Sequence, residues 1–245
     1  MLALLAQGST LREGASRVDV REHTRWLIEQ QYVTGFAVGA ESCPRNEQLL
    51  GALAITEVCE VSEYRPYRRE AALGIATASL MMRDKVRPAN DEEFVLAMLL
   101  ARSIAASRSD VLAITQADTA RIAARSHMVA GKVRRIDAAL HVDDLLQGKQ
   151  HPPELTIAMA WPANPAADPL HTLIGALAVS KLPLPEKQRA AQFGRLAALV
   201  AARETEGEHA GTWAPAGGFD RLTTTAMHAI TLALGNGKTP LFCAK

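Results

Sequence analysis

An eight-residue block, Leu49-Leu50-Gly51-Ala52-Leu53-Ala54-Ile55-Thr56, returns almost unchanged 124 residues later as Leu173-Ile174-Gly175-Ala176-Leu177-Ala178-Val179-Ser180. A repeated block constrains a chain strongly, because both copies must form the same local unit and bury the same face. Each copy is apolar and rich in small residues. Each is followed by a turn containing Pro and then by a longer Arg- and Ala-rich stretch, Arg65 to Leu80 after the first and Glu186 to Ala202 after the second. The unit reads as a small-residue helix, a tight turn and an amphipathic helix. Such a hairpin cannot bury its apolar face alone and has to stack on a neighbour.

Apolar residues recur at helical spacing through most of the chain, and two-residue alternation is nearly absent. The spacing predicts helices over 18–31, 46–61, 64–82, 91–106, 117–133, 169–180, 185–203 and 221–234, with fainter ones over 2–7 and 153–161. Asn90 and Glu93 form a capping box with Pro88 just upstream. Asp168 followed by Pro169 reads as an N-cap with Pro at the first helical position. Pro183 and Pro185 separate two helices, and the Gly- and Pro-rich stretch 207–219 reads as a loop. Periodicity fades over 134–152. The expected fold class is all-α, a single domain over 1–245 made of stacked helical hairpins.

Hydrophobic residues at 48% and charged residues at 22% give a globular balance, but aromatic residues reach only 4%, so the helices must pack through Ala and Leu. The net charge is +1 with both signs interleaved, which lacks the concentrated basic surface that a phosphate backbone requires and argues against nucleic acid as a partner. No apolar run nears the roughly 20 residues that span a bilayer. The apolar start is too short for a signal core. Cys43, Cys59 and Cys243 are odd in number and lack metal-ligand or redox spacing. Reduced thiols in the cytoplasm are the expectation, with pairing of two of them left open.

Two segments go further. Leu4-Leu5-Ala6, Gly8-Ser9-Thr10 and a helix carrying Trp26-Leu27-Ile28-Glu29-Gln30-Gln31 stand near the start. Near the end, Gly207-Glu208-His209-Ala210-Gly211-Thr212-Trp213 leads through Gly217-Gly218 to Thr223-Thr224-Thr225-Ala226. This arrangement resembles the prenyltransferase and squalene oxidase repeat family, and is nearer to its bacterial branch of unassigned activity than to the cyclases. The resemblance implies an α/α toroid of squalene-cyclase-like form, in which inner helices run parallel and outer helices return around them. The ten predicted segments fall short of a full toroid, so an incomplete ring is an open alternative.

The chemistry of that family is not matched residue by residue. Cation guidance needs several aromatic rings around one cavity, and the chain has three Trp, three Tyr and five Phe in all. Asp143-Asp144 stands without the Asp-x-Asp-Asp pattern, and no Asp-x-Cys pair supplies a prenyltransferase zinc site. The catalytic candidates are Glu57 and Glu60, three apart on one helical face, Asp91 at a helix start, and His228 on the last helix. A solvated helix end or a dipole-complementing helix start explains these acids equally well, and a packed core residue explains His228.

If inner helices run parallel, Asn46, Asn90, Asp168 and Thr224 stand at their converging N-termini, where unpaired N–H groups favour anionic or carbonyl-bearing ligands. No metal and no cofactor is expected. The favoured function is a non-catalytic binding or scaffold protein that takes a protein partner or a small apolar or anionic ligand. The alternatives are a hydrolase- or lyase-type enzyme using acids in the toroid cavity and a diverged terpenoid- or prenyl-binding protein. An incomplete ring would leave a helical face free for a homo-oligomer.

Overall fold

The computed structural model of the chain describes residues 1–33, 45–83, 91–106, 161–162 and 164–236. The described residues are helical, with no strand among them beyond an isolated bridge between Ala216 and Phe219. The all-α expectation holds. The chain divides into two compact units, Met1–Gly131 with Pro240–Lys245, and Lys132–Thr239. Each unit contains one copy of the repeated block.

The first unit contains α1 (Leu2–Ala6), α2 (Arg17–Val33), α3 (Arg45–Val61), α4 (Arg68–Arg83) and α5 (Asp91–Ala106). The first copy of the block forms the middle of α3, which packs mainly on α4 and α5 and more lightly on α1 and α2. Leu49, Ala52, Leu53, Ile55 and Val58 are all buried there, each large side chain contributing on the order of 1.5–3 kcal/mol. The small residues of the block matter for approach. A Cβ on Gly74 of α4 would lie only 3.4 Å from the Cα of Ala52, so the two helices meet almost backbone to backbone.

The end of α3 explains the sharp reversal into α4. Tyr64 N donates to Cys59 O at 3.0 Å and Glu63 N to Glu60 O at 3.2 Å, with Glu63 in the left-handed region at φ 48. That is the Schellman pattern, here without the usual glycine. The predicted helix over 64–82 accordingly opens as a 3-10 turn, Arg65–Tyr67, before α4 begins. The N-terminal segment is tied to the same turn, since Leu11 N donates to Ser62 Oγ at 3.0 Å and Arg12 Nη2 to Glu63 O at 3.1 Å.

The second unit contains α6 (Pro169–Lys181), α7 (Glu186–Phe193), α8 (Ala197–Ala201) and α9 (Arg221–Gly235). The second copy of the block lies within α6, buried from Pro169 through Val179 and packed on α9. The two copies end alike. Thr56 Oγ1 donates to Ala52 O at 2.8 Å, and Ser180 Oγ donates to Leu177 O at 2.7 Å, so both terminal hydroxyls are satisfied within their own buried helices.

The predicted helix over 185–203 is interrupted. Gly194 opens a 3-10 turn, Gly194–Leu196, between α7 and α8, and this turn packs on α9. A Cβ on Gly235 would stand 3.0 Å from Leu196 Cδ1 and 3.1 Å from Phe193 Cδ1. Arg189 Nη2 closes the end of α6 by donating to Leu182 O at 3.3 Å and Leu184 O at 3.5 Å. The predicted helices over 117–133 and 153–161 lie outside the described residues.

Candidate functional site around His228

Thr224 and His228 stand one turn apart on the buried side of α9, and neither is exposed. The His228 ring meets the Trp213 ring edge-on, with centroids 5.4 Å apart. Among the described residues neither imidazole nitrogen has a hydrogen-bond partner, and only the nearby Ala166 backbone favours its proton. Burial wins and pushes the imidazole from 6.5 down to about 4. At neutral pH the ring is uncharged, with one nitrogen able to donate and the other to accept. Such a group recognises a neutral polar partner better than it shuttles protons near pH 7.

The loop expected over 207–219 builds the wall of this site. Glu204 N donates to Thr212 O at 2.9 Å and Gly211 N to Glu204 O at 2.7 Å. Arg221 Nη1 reaches both the Glu204 carboxylate at 2.5 Å and Thr212 Oγ1 at 3.1 Å. The loop thereby delivers Trp213, whose backbone N donates to Thr225 Oγ1 at 3.2 Å. Gly217, at φ 63, lets the chain turn against the start of α6, where a Cβ would stand 3.0 Å from Pro169 Cδ.

Asp168 and Thr224, expected at an anion-binding end, both lie in this unit. Their polar atoms serve the fold. Asp168 Oδ1 accepts from His171 N at 3.1 Å as the cap of α6. Thr224 Oγ1 accepts from Ala216 N at 3.3 Å and donates to Phe219 O at 3.5 Å. Asp220 is the N-cap of α9, and its bonds with Thr223 hold its carboxyl below the usual range. Asn46 and Asp91 fall on the first turns of α3 and α5 in the other unit, where only their backbone is described. Asn90 lies outside the described residues.

Glu57 is buried on α3 and Glu60 half-buried beside it, and both carry interactions with neighbours. Cys59 between them is buried, and burial first, then Glu60 and Glu70, push its thiol up to about 12. A thiol so held is no nucleophile at neutral pH. No three His, Cys, Asp or Glu groups among the described residues are placed to hold a metal ion, and no described helix is long and apolar enough to cross a membrane.

Residue spacing did not single out three further features. Gln48 is fully buried on α3, with neither amide atom paired among the described residues. Gln31, the last residue of the Trp26-to-Gln31 motif, is buried and anchored, Nε2 donating to Glu70 O at 2.9 Å. Trp26, the first residue of that motif, faces outward at 57% exposure, and Val18 on the same helix reaches 58%. The chain matches no protein-family model, no curated protein and no solved structure.

Proposed function

We propose that this chain is a non-catalytic binding protein, a helical scaffold that presents one face of α2 to a protein partner. The observation that carries this reading is Trp26. A tryptophan exposed to 57% on a well-formed helix leaves a large apolar ring in water, and rings of this kind are the commonest anchors of protein interfaces. Exposed Arg25, Glu22 and Glu29 flank it and supply the polar rim that interfaces require. The small-residue hairpin α3–α4 supports a rigid platform behind the face, and its helix–turn–helix form suits the α/α-toroid unit proposed from the sequence.

The test is comparative capture from host extract with wild-type, Trp26→Ser and Leu222→Ser chains, each shown to be folded by circular dichroism. Leu222 is more exposed still, at 78%, but lies in the other unit. A partner held by wild type and by Leu222→Ser but lost with Trp26→Ser supports the reading. Equal recovery with all three overturns it.

One observation favours a second reading. The buried, uncharged imidazole of His228 beside Trp213, whose polar contact among the described residues is at most the Ala166 backbone, suits a small neutral ligand. Native mass spectrometry of gently purified protein tests it, with a bound mass that disappears in His228→Leu as the supporting result.

A further inference from the structure

Arg17, Arg21 and Arg25 follow one another every four residues along α2, and all three are exposed. That spacing sets them in a row on one flank of the helix, at intervals of about 6 Å. Two of them are fixed in place. Arg17 Nη1 donates to Arg12 O at 3.4 Å, and Arg21 Nε donates to Leu11 O at 2.7 Å. These carbonyls belong to consecutive residues of one tight loop, closed by Thr10 N donating to Glu13 O at 2.8 Å. The two guanidinium groups are therefore held side by side, each using one N–H on the loop and keeping others for a partner. Among the described residues none of the three arginines forms an ion pair, the pair found there being Arg221 with Glu204 in the other unit.

Like charges four residues apart destabilise the helix that carries them, so this row is a cost to α2 taken alone. We propose that the arginine flank of α2 docks an acidic helix of a partner protein, one in which Asp or Glu recurs every four residues. The inference rests on reading α2 as the partner face and names the chemistry of what that face takes. Residues four apart form one of the ridges along which helices pack. A helix lying on that ridge repeats its acids at the same interval of about 6 Å, so three charge-assisted pairs form in one register. Trp26, the residue after Arg25, is 57% exposed and gives the docked helix an apolar anchor. Nucleic acid and an anionic lipid surface fit less well. Either presents phosphate charge of one sign, which Asp19, Glu22 and Glu29, exposed on the same helix, would meet with repulsion. A polypeptide can set basic residues against those acids while its own acids meet the arginines.

Fluorescence anisotropy of labelled helical peptides, titrated with the full chain, tests this. The probes share one apolar stripe and carry Glu, Gln or Lys at every fourth position. Wild type is expected to bind the Glu peptide roughly tenfold tighter than the Gln peptide, each exposed pair being worth a factor of about 1.5–5. That preference is expected to shrink as salt rises. Replacing all three arginines, Arg17→Gln, Arg21→Gln and Arg25→Gln, is expected to abolish it. Arg25→Glu alone leaves both loop-anchoring bonds intact, should the triple variant lose its fold, and is expected to reduce the preference by a factor of about 2–5. Trp26→Ser is expected to weaken the Glu and Gln peptides alike, which keeps the two readings apart. Equal binding of all three probes, weakened by Trp26→Ser, overturns the acidic assignment and leaves the partner face standing. A Glu preference lost with the arginines but indifferent to Trp26→Ser supports the acidic row and removes Trp26 as the anchor. No binding of any probe, a Glu preference indifferent to the arginine variants, or tighter binding to phosphatidylserine vesicles than to the Glu peptide overturns the proposal.

Discussion

The indole Nε1 of Trp213 donates to the carbonyl oxygen of Leu199 at 2.7 Å, a buried bond across fourteen residues. It joins the loop before α9 to α8 and fixes the ring that meets His228. The indole thus ties α8 to the ring that meets His228, beside the backbone and Arg221 bonds that also hold the loop.

Trp213→Phe tests that tie. The ring plane is largely kept, but the donor is lost and the buried Leu199 carbonyl is left unpaired, at a cost of about 1–3 kcal/mol. Urea unfolding is expected to show a lower midpoint at an unchanged slope. An unchanged midpoint would mean that water replaces the indole without loss.

His228 makes stability depend on pH. Its folded value is about 4 against 6.5 unfolded, so between those values the unfolded chain binds the extra proton. Stability is therefore lost as pH falls through that window and levels off below about pH 4, the full loss from this group being roughly 3 kcal/mol. His228→Leu removes this component, and because the ring's one polar contact among the described residues is with the Ala166 backbone it leaves stability at pH 7 within about 1 kcal/mol of wild type. Chemical unfolding of both proteins from pH 7 to pH 4 checks the pair of outcomes. Parallel curves would show that the imidazole has a partner in solution.

The helices were legible because their signals are local. The block at Leu49 and Leu173 forms buried helices in both units, and the cap at Asp168 begins α6 where the Asp-Pro pair predicts. Local signals failed where another element decides. Glu63 takes the left-handed turn position normally marked by glycine, so the sequence carries no sign of it. The break at Gly194 goes with the packing of Phe193 and Leu196 on Gly235, forty-one residues on. The site was less legible than the fold. His228 was visible as a lone histidine, but its contact with Trp213 is tertiary. Asp168 and Thr224 lie near helix starts as expected, yet the Asp168 carboxylate is used in capping its own helix and the Thr224 hydroxyl in holding the preceding loop. Apolar spacing treats Trp26 like its neighbours and carries no signal that it faces outward.

Cys59 is expected to resist alkylation in the folded protein. Its thiol, pushed up to about 12 by burial and by Glu60 and Glu70, exposes almost no thiolate at pH 8. Iodoacetamide labelling followed by peptide mass spectrometry should find Cys59 unmodified in buffer and modified in urea. Rapid labelling in buffer would show that α3 and α4 open readily at this point.

Two glycines of the second unit should respond in opposite directions to the same substitution. At Gly217 the backbone sits at φ 63 and a Cβ would come to 3.0 Å from Pro169 Cδ and 3.4 Å from Ala167 O. Alanine there adds left-handed strain of about 1 kcal/mol or more to a clash with the proline ring. Gly194 has φ −56 and ψ −25, and a Cβ on it would meet nothing within 4 Å. Alanine at that position restricts the unfolded chain without straining the folded one, a gain of about 0.4–1 kcal/mol. Thermal unfolding should therefore place Gly217→Ala below wild type and Gly194→Ala above it. If Gly194→Ala is also destabilised, the 3-10 turn between α7 and α8 must need a conformation that only glycine supplies, and the interruption of that helix would be a requirement of packing against α9 rather than a tolerated break.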